Sequence, residues 1–323
     1  MFIPPQIVTK PKLKQVVTVV RLVTLITLTP NTCKKMTHLQ PKRERKTDDK
    51  SFCKTLLPIK LEHDTKHSLS FAVPSLDIKP CQRLTTGCDK LNSALCGGLP
   101  VGRLIELSGQ SGCGKTQLCL QLSLTAQWPA DCAGLDAGVL YISTLEFFPS
   151  KRLQQLIKCF PIPMKSKPNY GDNIFIERVS DVDALWQCVS KRAPQLMSHR
   201  TIRLLIVDSV AGVFRTHLEG GLSNRAKELR NLAKQLMKLS VEHNAAVICV
   251  NQVAEVPCNE EEEKYGVREV PALGLSWANL MHTRLRMSKD QSGSRHLEAL
   301  SSNEIPYGMK CPYQILSHGL FGS

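Results

Sequence analysis

The chain has 323 residues, 42% of them hydrophobic but only 5% aromatic, and a formal net charge of +14. That length holds one large α/β domain of about 200–250 residues plus an extension, or two ordinary domains, and an aliphatic core suits a buried parallel sheet better than a small β module. Thirteen cysteines, scattered without CxxC or Cys/His ligand spacing, exclude a zinc-finger reading and argue against a disulfide framework, so reduced thiols in a nuclear or cytosolic compartment are expected.

The charge is uneven. Residues 1–60 carry 13 Lys/Arg against 3 Asp/Glu, about +10 of the +14. A basic tail alone does not establish a nucleic-acid partner. Gln15–Leu28 is an apolar run of 14 residues broken by Arg21. A membrane span needs about 20 residues, and Thr29-Pro30-Asn31 is a poor signal-peptide cleavage site, so no membrane partner is expected. Prolines at Pro4, Pro11, Pro30, Pro41, Pro58 and Pro74 interrupt any long helix. Residues 1–80 therefore read as a basic, weakly structured extension. Within it, Pro41-Lys42-Arg43-Glu44-Arg45-Lys46 is either a nuclear import signal or a solvated basic run.

From residue 81 strand-like and helix-like segments alternate. Leu104–Ser108, Val139–Ser143, Ile174–Glu177, Leu204–Val207 and Ala246–Val250 read as strands. Gln117–Ala126, Ser150–Cys159, Val182–Lys191 with Asp181 as its cap, and a long helix capped by Ser223 and running to about Val241 read as helices. In the long helix Leu229, Leu232, Leu236 and Leu239 share one face, and Lys227, Arg230, Lys234 and Lys238 another. His282–Met287, His296–Leu300 and Tyr313–Leu316 read as closing strands, the first two joined at Ser292-Gly293. The alternation predicts an α/β fold: a mostly parallel sheet covered by helices on both faces, ending in antiparallel strands.

Gly109-Gln110-Ser111-Gly112-Cys113-Gly114-Lys115-Thr116 fits G-x-x-x-x-G-K-[ST]. Its glycines let successive N–H groups turn inward as an anion nest, and the helix that follows adds partial positive charge. In such a loop Lys115 reaches the β- and γ-phosphates and the Thr116 hydroxyl ligates Mg²⁺. A strand before and a helix after supply the context the motif requires, so ATP and Mg²⁺ are the expected cofactors. Asp208, ending an apolar strand, can hold the same Mg²⁺ through water; the alternative is an ordinary turn cap.

The layout from Thr86-Gly87-Cys88-Asp89-Lys90-Leu91 through Gly97-Gly98-Leu99-Pro100 to Gly114-Lys115-Thr116-Gln117 resembles the RecA family in its eukaryotic recombinase branch. Leu204–Ser209 resembles that family's second nucleotide motif and Val250-Asn251-Gln252-Val253 its sensor strand. The runs Phe148–Leu156, Ser180–Leu185 and Pro271–Asn279 look like those of a recombinase paralogue. The resemblance covers about residues 81–323. It implies a RecA-like ATP-binding core acting in homologous recombination and double-strand-break repair, binding single-stranded or branched DNA and assembling with a recombinase paralogue partner. Carried over by position, Arg152 would stack on the adenine, unless it is only a surface helix arginine. Gln252 would sense the γ-phosphate, Lys115 and Glu146 would serve hydrolysis, and His217–Asn224 and Val253–Val270 would be the DNA-facing loops. Arg215, Arg225 and Lys227 flank the first of these with positive charge.

Three features depart from the pattern. The family's water-activating Glu directly follows the Thr after the second strand; here Thr144 is followed by Leu145, and Glu146 comes one place later. A slip of one residue turns a side chain to the other side of an extended backbone, so weak hydrolysis is expected. The second loop holds Glu260-Glu261-Glu262-Glu263, which either repels a phosphate backbone or is simply a solvated acidic loop. Finally, Phe71 is followed by Pro74 where an oligomerisation motif would place Ala. Two rival readings remain: a non-enzymatic scaffold stabilised by ATP, and a small-molecule kinase, which would need an arginine-rich lid that the sequence does not display.

Overall fold

The computed structural model describes residues 82–144, 147–161, 163, 169–216, 221–256 and 268–323. The basic extension, Leu145, Glu146, the centre of the first loop and the acidic run Glu260–Glu263 lie outside them. The chain opens with β1 (Arg83–Leu84), α1 (Asp89–Ala94) and β2 (Leu99–Pro100), which pairs antiparallel with β1. There follow β3 (Leu104–Gly109), α2 (Lys115–Thr125), β4 (Gly138–Ser143), α3 (Ser150–Cys159) and β5 (Ile174–Arg178). Next come α4 (Val182–Gln187), α5 (Ala193–His199), β6 (Ile202–Asp208), α6 (Val210–Thr216), α7 (Gly221–Glu242) and β7 (Ala246–Val250). The remainder is β8 (Val253–Val256), β9 (Arg268–Pro271), α8 (Gly274–Ala278), β10 (Thr283–Lys289), β11 (Arg295–Ser302), β12 (Lys310–Leu316) and β13 (Gly319–Gly322).

Nine strands form one sheet in the order β13-β12-β11-β10-β3-β7-β6-β4-β5. The six from β10 to β5 run parallel, and β11, β12 and β13 add antiparallel at one side. This is the α/β sheet the alternation predicts. Every residue of β3, β4 and β7 is buried, as a strand covered on both faces requires. Side chains alternate between two cores: Val139, Tyr141, Leu204 and Ile206 join α1–α3 on one face. Leu140, Ile142, Leu205 and Val207 join α4–α8 on the other.

Some boundaries differ from the sequence reading. The helix expected over Val182–Lys191 starts as predicted, with Asp181 accepting the Ala184 N–H at 2.7 Å, a bond that holds its carboxyl below the ordinary aspartate range. It then widens into a π-helical stretch at Cys188–Arg192 before α5, because Ala193-Pro194 restarts a regular turn where proline is tolerated. The long helix begins at Gly221, so Ser223 lies inside the first turn and does not cap it. Leu229, Leu232, Leu236 and Leu239 are buried and Lys227, Arg230, Lys234 and Lys238 exposed, as expected. The β8–β9 hairpin and β13 are additions: Gly319–Gly322 is too short to show an alternating pattern, and only its pairing with β12 makes it a strand. Among the described residues no helix is long and apolar enough to cross a membrane, and no His/Cys/Asp/Glu cluster could hold a metal by itself.

Candidate nucleotide-binding site

Strand β3 ends at Gly109, with φ +149°, and a Cβ there would lie 2.0 Å from the Met287 carbonyl oxygen of β10. Only glycine lets the chain leave the sheet at this point while β10 stays paired. The loop turns over and delivers Gly114, with φ +103°, as the N-cap of α2. No side chain caps that helix and no acidic residue occupies its first turn. Its first N–H groups and dipole are therefore offered to an external anion.

The Lys115 ammonium folds back over the loop and donates to the Gly109 and Gln110 carbonyls, 2.7 Å each. Burial lowers its pKa, opposed by Cys113 and then Asp208. A partly desolvated ammonium has more to gain from a phosphate than one in bulk water. One residue further on, the Thr116 hydroxyl donates to Asp208 Oδ2 at 2.7 Å. Asp208 closes β6 and is 4% exposed. The same Oδ2 accepts the Tyr141 hydroxyl at 2.7 Å. With Oδ2 engaged twice, Oδ1 is the oxygen left for a further ligand. A hard divalent cation takes such a hydroxyl and carboxylate pair, so these residues fit Mg²⁺. Tyr141 is fully buried, and burial with the neighbouring Asp208 charge pushes its hydroxyl pKa well up, keeping it a donor. Tyr141→Phe is therefore expected to weaken nucleotide binding about fivefold in Mg²⁺ and to change it little in a chelator, read by titration under both conditions.

One cavity of about 820 Å³ gathers these groups. Gly109, Ser111, Gly112, Gly114, Lys115, Thr116, Arg152, Asp208 and Gln252, all expected from the sequence, line it. Gln110 and Cys113 complete the loop; Cys113 is buried, and its carbonyl accepts the Tyr313 hydroxyl at 2.6 Å. Arg152 reaches across the mouth, bonding Gln117 at 2.6 Å and the Leu316 and Ser317 carbonyls at 2.8 and 2.9 Å. Glu146 lies outside the described residues.

Sequence reasoning missed several participants. These include Tyr141 and Tyr313, and the bond by which Arg215, expected only as a cation beside the first loop, donates to Gln252 Oε1 at 2.7 Å. The buried Gln121 amide donates to the Thr86 and Leu320 carbonyls at 2.7 and 3.0 Å and accepts the Leu320 N–H at 2.7 Å. That ties β13 to the helix behind the phosphate loop. Beneath the end of β7, Glu106, 1% exposed, accepts from Asn251 at 2.7 Å and from Arg284 at 2.6 Å.

A mostly parallel sheet with helices on both faces, a glycine loop opening an uncapped helix and an Asp at a neighbouring strand end define a RecA-like P-loop NTPase core. Residues 79–322 match the Rad51 family, and the chain belongs to it as a recombinase paralogue, in a family of DNA repair and recombination. A DNA repair protein XRCC3 from Bos taurus is 39% identical over 256 residues, covering 75% of each chain. The XRCC3 of Mus musculus is 38% identical over 265 residues, again covering 75% of each. A DNA repair protein XRCC3 homolog from Arabidopsis thaliana is 31% identical over 285 residues, or 74% of this chain and 92% of its own.

Proposed function

We propose that this chain is an ATP-binding component of homologous-recombination repair, working in the nucleus, whose bound triphosphate governs its assembly with a recombinase paralogue and with single-stranded or branched DNA. The observation that carries this reading is the convergence of Lys115, Thr116, Asp208 and Gln252, from three separate segments, on one cavity at an uncapped helix N-terminus. Loop N–H groups and Lys115 grip the phosphates, while Thr116 and Asp208 hold Mg²⁺, which neutralises phosphate charge. Gln252 offers an amide at the far side of the same cavity, at the root of the β8–β9 hairpin. Hydrolysis by this chain is proposed to be slow and to reset the bound state, since Leu145 takes the place where the family pattern puts its general base; losing such a base costs about 10²–10⁴ in rate.

Titration of the purified chain with a fluorescent ATP analogue in Mg²⁺ tests the reading. Saturable binding that unlabelled ATP displaces is the expected result; folded protein that shows none would remove it. A second reading, an ATP-stabilised scaffold without catalysis, is favoured by Leu145. It predicts that turnover stays at background with saturating DNA while ATP still raises the melting temperature.

A further inference from the structure

Gln252 has a neighbour that determines which way its amide faces. Arg215, the next-to-last residue of α6, donates to Gln252 Oε1 at 2.7 Å. A guanidinium carries only donors, so the amide atom facing it must be the oxygen. The Gln252 amino group is then the end left over, with no hydrogen-bond partner among the described residues, and both Arg215 and Gln252 line the cavity that holds Lys115 and Thr116. An amide free to flip would offer a phosphate its oxygen as readily as its amino group. Only the amino group attracts an anion.

The backbone of Gln252 is held as well. Its carbonyl accepts the Ala272 N–H at 2.8 Å, just past β9. The Ala272 carbonyl in turn accepts from Arg225 of α7 at 3.4 Å. Gln252 thus sits between the end of α6 and the base of the β8–β9 hairpin.

From this geometry we infer that Arg215 is a positioning residue: it locks the Gln252 amide with its amino group as the donor, and so sets how strongly the site prefers a nucleoside triphosphate over a diphosphate. The inference rests on the nucleotide reading above and adds the residue that makes the sensor directional. Arg215 acts through Gln252 and not as a phosphate ligand in its own right.

The test measures affinities for a non-hydrolysable ATP analogue and for ADP, both in Mg²⁺. The proteins are the unaltered chain, Arg215→Leu, Arg215→Lys, Gln252→Ala and the Arg215→Leu/Gln252→Ala double variant. Arg215 is exposed, so melting temperatures should stay within about 2 °C of one another. Arg215→Leu is expected to shrink the triphosphate preference about fivefold to tenfold, with Arg215→Lys, which keeps a charged donor, recovering part of it. In the Gln252→Ala background, Arg215→Leu should cause no further loss, because its effect passes through the amide. Losses that multiply in the double variant would show Arg215 touching phosphate directly and overturn the inference. A preference left intact in Arg215→Leu overturns it too, with nucleotide binding itself untouched. Failure of the unaltered chain to bind either nucleotide would instead defeat the underlying reading.

Discussion

Lys115→Ala is expected to lose about 100-fold in ATP affinity, the effect of removing a charge-assisted contact from a partly desolvated site. Two carbonyls at 2.7 Å hold the ammonium against the loop, so no large rearrangement is needed before it meets a phosphate. Stability should change far less, since those carbonyls border the open cavity and water can replace the lysine. Nucleotide titration and a thermal melt on the same sample separate the two effects. The variant also discriminates between the functional readings. Loss of nucleotide together with loss of partner binding fits an ATP-governed assembly. Loss of nucleotide with partner binding and repair retained fits the scaffold.

Glu106→Ala is expected to be the most damaging single change to the fold, at about 3–5 kcal/mol. The Glu106 carboxylate joins three parallel strands: its own β3, β10 through Arg284, and the end of β7 through Asn251. Truncation leaves the buried Asn251 amide and the part-buried Arg284 guanidinium without their acceptor. A domain with a total stability of about 5–15 kcal/mol has little room for that. Denaturant unfolding followed by circular dichroism would read the loss as a lower midpoint. Glu106→Gln, which keeps an acceptor for Asn251, should recover part of it. Because Asn251 directly precedes Gln252, a protein that survives Glu106→Ala should also bind the nucleotide more weakly.

Those two residues mark where the sequence was readable and where it was not. The loop Gly109–Thr116 and Asp208 were legible because their chemistry is local: glycines at fixed spacing, and a carboxylate ending a run too apolar to be anything but a buried strand. The same holds for β4, β6 and β7, whose continuous apolar stretches announce burial on both faces. Glu106 sits within such a stretch and gives no local sign of its role, since Arg284 is 178 residues away and Asn251 is 145 residues away. Tyr141 meets Asp208 across 67 residues, and Arg215 meets Gln252 across 37. Each bond exists only because the crossovers of the parallel sheet bring segments distant in sequence side by side. The Gly109–Thr116 loop is the kind of site that local spacing reports. The hydrogen bonds that aim its side chains are made by topology, and no pattern of neighbours along the chain reports them.

Tyr313 grips the loop carbonyl at Cys113 from 200 positions downstream, and Gln121 waits across 199 for Leu320. During synthesis the Gly109–Thr116 loop therefore leaves the ribosome long before the residues that steady it. Until β12 and β13 emerge, the nascent chain carries a glycine-rich turn without its brace. The pocket is braced only once those two strands are out, so a chain made as far as β11 has little means of capturing nucleotide.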